Sequence, residues 1–380
     1  MKHQKHAAIN RPAYGHFARN EWAIIGTPCG NIQKLSLQLT DALSGKYKVA
    51  YVDADHKESV ADGRSVMDAG ASLEYTDKIS HHRFDLKGKM DVFQFRPRFN
   101  NVDVALVNGN HFKAKHQIVV IDPKKEESLS RKLDRLTDVQ LILLTENIAG
   151  PYDFLKNRIE NVNEIPCLDI NDEEGIINFL KNKLNENIPP VCGLVLAGGK
   201  SQRMGKDKGL INYHGMPQRE YAAQLLNHFC EKTFLSCRPD QMEELKGDFP
   251  LLPDTFIGLG PMGAILSAFR EKPDAAWLVV ACDLPLLDKP TLDFLINNRN
   301  ISEIATTFRS PVNKFPEPLV TIWEPRSYPV LLNFLSQGYS CPRKALINSP
   351  INMLEVPRAE ALKNVNTPED LAEIKNRIEM

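Results

Sequence analysis

The sequence predicts two α/β domains in series, each a three-layer α/β/α sandwich, and three observations lead there. The chain has 380 residues, against roughly 100–200 for a single domain. Short aliphatic and β-branched runs alternate with helical spacing along both halves, the pattern of βαβ units on a largely parallel sheet. Between the two series, Asn185-Glu-Asn-Ile-Pro-Pro190 ends a helical pattern, because prolines cannot continue a helix and bias the residue before them toward extended backbone.

In chain order, residues 1–20 carry little apolar periodicity and read as a flexible tail. Strands are expected at Trp22–Ile25, Lys48–Asp53, Val102–Val107, Gln117–Ile121 and Val139–Leu144, followed by a helix over Asp172–Leu184. The second series has strands at Cys192–Leu196, Thr233–Ser236, Trp277–Cys282 and Glu317–Trp323, and a last helix from Thr367, where Thr-Pro-Glu-Asp is a capping box. The expected domains are therefore residues 21–186 and 191–380.

Composition limits the function classes. Apolar residues make up 42% and charged residues 25% of the chain, which excludes a disordered or fibrous protein. Forty-seven Lys and Arg against 48 Asp and Glu leave a net charge of -1. No global field points to nucleic acid or an anionic membrane, so any grip on phosphate is local. The seven cysteines are scattered and form no CxxC pair, which fits reduced thiols rather than a disulfide framework or a zinc knuckle. The basic N-terminus lacks the apolar centre of a secretion signal and no stretch is long enough to span a membrane. A cytoplasmic protein is expected.

The most informative stretch is Gly193-Leu-Val-Leu-Ala-Gly-Gly-Lys-Ser-Gln-Arg-Met-Gly-Lys-Asp-Lys208. A buried strand runs into a loop whose Gly198 and Gly199 let backbone N–H groups approach a ligand, and Lys200, Arg203, Lys206 and Lys208 follow. This reads as a polyphosphate cradle. It is not a Walker A loop, since GxxxxGK[ST] would need glycine where Leu194 stands. Asp283 follows the apolar run Trp277–Cys282, at the carboxyl end of a strand, where a carboxylate can hold Mg²⁺ against nucleotide phosphates. Asp288, just before Lys289-Pro290, is a helix N-cap instead. Asp254 is either a turn residue or part of the same site. Gly258, Gly260 and Gly263 mark either a backbone that ligand approaches closely or a flexible turn ahead of the helix Ala264–Arg270.

These residues resemble the molybdenum cofactor guanylyltransferases, the MobA family of nucleotidyltransferases, whose loop reads LAGGxSxRMGxDK. Asp254-Thr-Phe-Ile-Gly-Leu-Gly-Pro-Met-Gly-Ala-Ile265 is similar to that family's D-x(4–5)-G-P-L-x-G segment. Cys282-Asp-Leu-Pro285 matches its CDxP, Glu317-Pro-Leu319 its PL strand, and Asn364-Val-Asn-Thr-Pro-Glu-Asp370 its NxNTPED. The resemblance spans residues 192–372 and implies a Rossmann-like nucleotidyltransferase fold. It also implies transfer of GMP from GTP to molybdopterin, giving the guanine dinucleotide and pyrophosphate, with Mg²⁺ on Asp283. By the same resemblance Leu196, Ala197, Gly198, Gly199, Ser201, Lys208, Ser236, Asp254, Gly260 and Asp283 form the nucleotide site. Arg203, Lys208 and Asp283 are its catalytic residues, and Asn364 and Asn366 lie on the pterin. Ser236 departs from the family, which commonly has Asn there. Implied partners are GTP, molybdopterin, and the apo-molybdoenzymes or chaperones that receive the product. CTP or a sugar phosphate in place of the expected substrates, and a scaffold that binds cofactor without catalysis, are the alternative readings.

The first half opens with a near-miss. Trp22-Ala-Ile-Ile-Gly-Thr-Pro-Cys-Gly-Asn-Ile-Gln-Lys-Leu-Ser36 has the strand, loop and helix order of a P-loop. Counted from Gly26, however, the Gly-Lys-Ser/Thr positions are Asn31, Ile32 and Gln33. With Val49–Asp55 and Val104–Gly109, this half resembles MobB, a P-loop GTP-binding accessory protein, with Asn108 in place of a Glu. It is expected to be a P-loop-like adaptor that has lost GTP hydrolysis. Eight of the ten histidines lie here, at positions 3, 6, 16, 56, 81, 82, 111 and 116. None forms an HxxxH or HExxH pair, and surface or turn histidines are expected.

Overall fold

A computed structural model describes residues 10–55, 66–146, 148–198 and 208–378. The chain divides into two compact units, Tyr14–Glu186 and Asn187–Met380, with residues 10–13 grouping with the latter.

The N-terminal unit carries the strands β1 (Glu21–Ile25), β2 (Val49–Val52), β3 (Leu73–Asp77), β4 (His82–Leu86), β5 (Val104–Asn108), β6 (His116–Ile121), β7 (Val139–Leu144) and β8 (Cys167–Asp169). Six of them form a sheet in the order β2-β5-β1-β6-β7-β8, parallel at every pairing. Every residue of β1 and β5 is buried, as expected of central parallel strands covered on both faces. The helices Cys29–Leu43 and Glu173–Glu186 pack Ile32, Leu35, Leu39, Ile176 and Leu180 on one face. β3 and β4 pair only with each other, as an exposed antiparallel hairpin.

The expected tail ends earlier than residue 20. Glu21 is fully buried, and its carboxylate accepts the backbone N–H groups of His16 (2.6 Å), Phe17 (2.7 Å), Ala18 (3.0 Å) and Lys115 (2.7 Å). Four donors satisfy a charge that burial would otherwise penalise heavily. Phe17 packs among the rings of Phe95, Phe99 and Phe112.

The C-terminal unit carries β9 (Val191–Leu196), β10 (Lys232–Cys237), β11 (Leu251–Pro253), β12 (Ala276–Ala281), β13 (Ala305–Arg309), β14 (Pro316–Trp323) and β15 (Asn352–Glu355). They form one sheet in the order β11-β10-β9-β12-β14-β13-β15. It is mixed rather than parallel throughout, because β14 runs antiparallel to both β12 and β13. β9, β10, β11 and β12 are mutually parallel, so their carboxyl ends share one edge. Apolar clusters cover the sheet on both faces, one built on Trp277, Ile265 and Phe269, the other on Leu278, Leu226 and Leu292. Asp288 does cap the helix Lys289–Asn297, accepting from the Thr291 N–H at 3.1 Å. Thr367 and Asp370 cap the last helix, Pro368–Ile378, reciprocally.

The expected helix Ala264–Arg270 is longer, Pro261–Glu271, and starts from Gly260 at φ 55°, a left-handed value that favours glycine. Gly263 has a different reason to be glycine. A Cβ there would lie 2.2 Å from the Phe256 carbonyl oxygen, so the helix can seat against the preceding loop only without a side chain. Gly263→Ala is therefore expected to destabilise the protein by about 1–3 kcal/mol, the usual cost of overpacking, read as a fall in urea midpoint with an unchanged slope.

Candidate nucleotide site

A cavity of about 730 Å³ opens in the C-terminal unit where β9, β10 and β12 end. This is the edge at which open α/β sheets bind ligands. Leu196, Ala197, Gly198, Lys208, Ser236, Asp254, Gly260 and Asp283, all named from the sequence, line it together. The loop leaving β9 is pressed against the end of β10. Ala197 donates its N–H to the Ser236 carbonyl at 3.1 Å, and a Cβ on Gly198 would approach the Arg238 backbone N to 3.2 Å.

Asp283 stands beyond β12, and burial pushes its carboxyl above the usual range, with Lys208 pulling the other way. The Lys208 ammonium lies 3.7 Å from Asp283 Oδ2 and donates to Asn366 Oδ1 at 2.7 Å. The Val365 N–H donates to the Asp283 carbonyl at 2.9 Å. One cation thus joins the strand end to the NVNTPED turn. Asn364 on the same turn is exposed and does not line the cavity. Across the cavity Ser236 Oγ donates to Asp254 Oδ1 at 2.9 Å, and burial raises the Asp254 carboxyl while that bond lowers it.

Asp283 Oδ1 is buried and has no hydrogen-bond partner among the described residues. An oxygen of this kind is a site in want of a cation. Among the described residues no group of three His, Cys, Asp or Glu is placed to hold a metal, which suits Mg²⁺. That ion is commonly held by one or two carboxylates together with substrate phosphates and water.

Gly199, Ser201 and Arg203, with Lys200 and Lys206, lie outside the described residues. Sequence reasoning missed Arg238, Asp240, Ile257 and Leu319, which also line the cavity. Arg238 Nη1 donates to the Gly198 carbonyl at 2.8 Å, while Nε and Nη2 grip the two Asp240 oxygens at 3.0 and 3.1 Å. The available signal was a charged Arg-Pro-Asp directly after a buried strand on the ligand edge.

The N-terminal unit's Gly-rich loop is closed on itself. Gly26 has φ 99°, and a Cβ there would meet the Val120 carbonyl oxygen at 2.3 Å. Buried Thr27 donates to Asp122 at 2.7 Å and accepts from Asn31 at 3.1 Å, and Ile32 is wholly buried in the core. Asn108 is buried and donates to Asp53 at 2.8 Å. Of the histidines, His3, His6 and His56 lie outside the described residues. His81 sits in the turn before β4, where His82 opens the strand. His111 faces Cys29, and His116 bonds Asp138. No described helix is long and apolar enough to cross a membrane.

A strand-end carboxylate, a lysine beside it and a glycine-lined cavity on an α/β sheet define a nucleotidyltransferase site. The model of the MobA-like NTP transferase domain matches residues 193–349. A probable molybdenum cofactor guanylyltransferase of Nostoc sp. is 31% identical over 192 residues, covering 50% of this chain and 92% of that protein. The chain belongs to the molybdenum cofactor guanylyltransferase family. A molybdenum cofactor biosynthesis bifunctional protein of Synechocystis sp. is 37% identical over 200 residues, which is 52% of this chain. The chain spans 58% of that protein's length. The crystal structure of molybdopterin-guanine dinucleotide biosynthesis protein A from Archaeoglobus fulgidus is 22% identical, covers 50% of this chain and 98% of its own, and superposes with a TM-score of 0.44.

The raised Asp283 carboxyl has a consequence for stability. The folded state binds its proton more tightly than the unfolded state does, so ligand-free stability falls as pH rises from the unfolded value near 4 through the higher folded one. Asp283→Asn is expected to raise the melting temperature of the ligand-free protein at pH 7 and to leave it unchanged near pH 4. Thermal melts at the two pH values check this.

Proposed function

We propose that the C-terminal unit transfers GMP from GTP to molybdopterin, releasing pyrophosphate and forming molybdopterin guanine dinucleotide. The observation that carries the proposal is the convergence of Lys208 on both Asp283 and Asn366 in one cavity. That places the nucleotide side and the NVNTPED side of the site within reach of a single cation.

In this reading the backbone of Leu196, Ala197 and Gly198 receives the nucleotide, with Gly199, Ser201 and Arg203 continuing the same loop by resemblance. Ser236 and Asp254, already bonded to each other, face the ribose. Gly260 allows the backbone ahead of Pro261–Glu271 to come close to ligand. Asn366 orients the pterin phosphate through Lys208, with Asn364 beside it. The attacking group is the terminal phosphate of molybdopterin. It is already an anion, so no general base is needed, and the work of the site is alignment and charge compensation. Lys208 moves little, because Asn366 holds it. It is aimed at charge passing from the α-phosphate to the leaving pyrophosphate. Asp283 Oδ1 would hold Mg²⁺, which when bound offsets charge on the phosphates. Apo-molybdoenzymes or their chaperones would take the product.

For the N-terminal unit we propose an adaptor role without GTP hydrolysis. The support is that Thr27, Asn31 and Ile32 spend their side chains on internal bonds and core packing. A β/γ-phosphate and its metal therefore lack the lysine and hydroxyl they need.

Two experiments follow. Incubation of the full chain with Mg²⁺, molybdopterin and either GTP or CTP is expected to release pyrophosphate with GTP. Asp283→Ala should slow that release at least a hundredfold, a scale usual for loss of a principal charge-stabilising group. An unchanged rate contradicts the mechanism. The full-length Asp283→Ala chain is also expected to release no inorganic phosphate from GTP above background, and measurable hydrolysis overturns the adaptor reading.

A further inference from the structure

We infer that Arg238 and Asp240 are the pair that reads the nucleotide base and selects guanine; the inference rests on the transfer reading above. Its argument begins with the sheet. β10, β9 and β12 are adjacent, parallel and end on one edge. Strands lie about 4.8 Å apart, so the ends of β10 and β12 are separated by about 10 Å. Asp283 and Lys208 hold the β12 end and take the phosphates. A nucleotide with its phosphates there, and its ribose at Ser236 and Asp254, lays its base toward the β10 end. Arg238 and Asp240 line the cavity on that side.

The chemistry of the pair matches one base edge. Guanine presents the O6 acceptor beside two donors, N1–H and N2–H. Arginine only donates, and a carboxylate only accepts, at up to about four positions. Arg238 Nε and Nη2 take one position on each Asp240 oxygen, so the carboxylate has capacity for the two guanine donors while the guanidinium meets O6. Cytosine offers a donor at N4 and acceptors at N3 and O2, which sets acceptor against carboxylate. Adenine puts a donor where O6 would be. The pair is also held still, because Arg238 Nη1 bonds the Gly198 carbonyl at 2.8 Å and the Arg238 N–H donates to Gln241 Oε1 at 3.2 Å. The guanidinium therefore meets the base without first losing rotamer freedom.

The test is a change of nucleotide preference, which loss of mere support would not produce. Xanthosine triphosphate differs from GTP by an oxygen in place of the 2-amino group. An amide at position 240 donates to that oxygen and still accepts from N1–H. In the full chain, Asp240→Asn is expected to lower the ratio of kcat/KM for GTP to that for xanthosine triphosphate by at least about tenfold, the scale of one base-edge contact. Arg238→Lys should weaken both nucleotides alike, since both carry O6. A ratio unchanged in Asp240→Asn overturns the inference, whether the two rates are retained or fall together. A wild-type chain that transfers CMP and not GMP instead overturns the transfer reading itself, before any variant is made.

Discussion

The C-terminal unit depends on a carboxylate that the fold keeps out of water without fully satisfying. Asp283 follows a strand buried along its whole length, so burial disfavours its charge, and Lys208 is the cation set against that cost. A protein selected for stability alone would place an amide or an apolar residue there. The carboxylate is retained with Oδ1 unpartnered among the described residues, and the same oxygen is what a phosphate-bridging cation requires. Strain of this kind in the resting site is where binding energy for the nucleotide is stored.

Around that point the arrangement is a linear one across the sheet edge. The phosphate end is at β12, the Gly198 loop is in the middle at β9, and the Ser236, Arg238 and Asp240 group is at β10. The loop's position is set by backbone contact with β10 as much as by its own glycines. Reading of the base and seating of the phosphates are therefore coupled through one peptide segment. The N-terminal unit has the same strand, loop and helix order and the opposite electrostatics. Its polar groups point at one another, with Thr27 bonded to Asp122 and Asn108 bonded to Asp53, and what remains is a scaffold.

Much of this was legible in the residues. The strands built from unbroken apolar runs, β1, β5, β6, β7, β9 and β12, are evident from pattern, because burial on both faces leaves no room for polar alternation. β13 was not evident. Its Thr306 and Thr307 read as polar surface but are fully buried, Thr306 accepting from the Asn300 N–H and Thr307 donating to the Glu317 carbonyl. β3 and β4 bury none of their residues, so no core signal marks them, and β8 and β11 are three residues each. The buried Glu21 is another limit: only the fold shows four N–H groups converging on it. Eight of the nucleotide-site residues come together as their motifs implied, since motif spacing reports which strand ends carry them. Arg238 and Asp240 escaped because their meaning comes from the β10–β9–β12 adjacency, which is tertiary.

The central claim is that the chain has one working nucleotide site, in the C-terminal unit and built on Asp283. Isothermal titration of the full chain with GTP in the presence of Mg²⁺ tests it most directly. The account predicts one GTP bound per chain, with that binding lost in Asp283→Ala. Two bound per chain, or binding that survives Asp283→Ala, would contradict it.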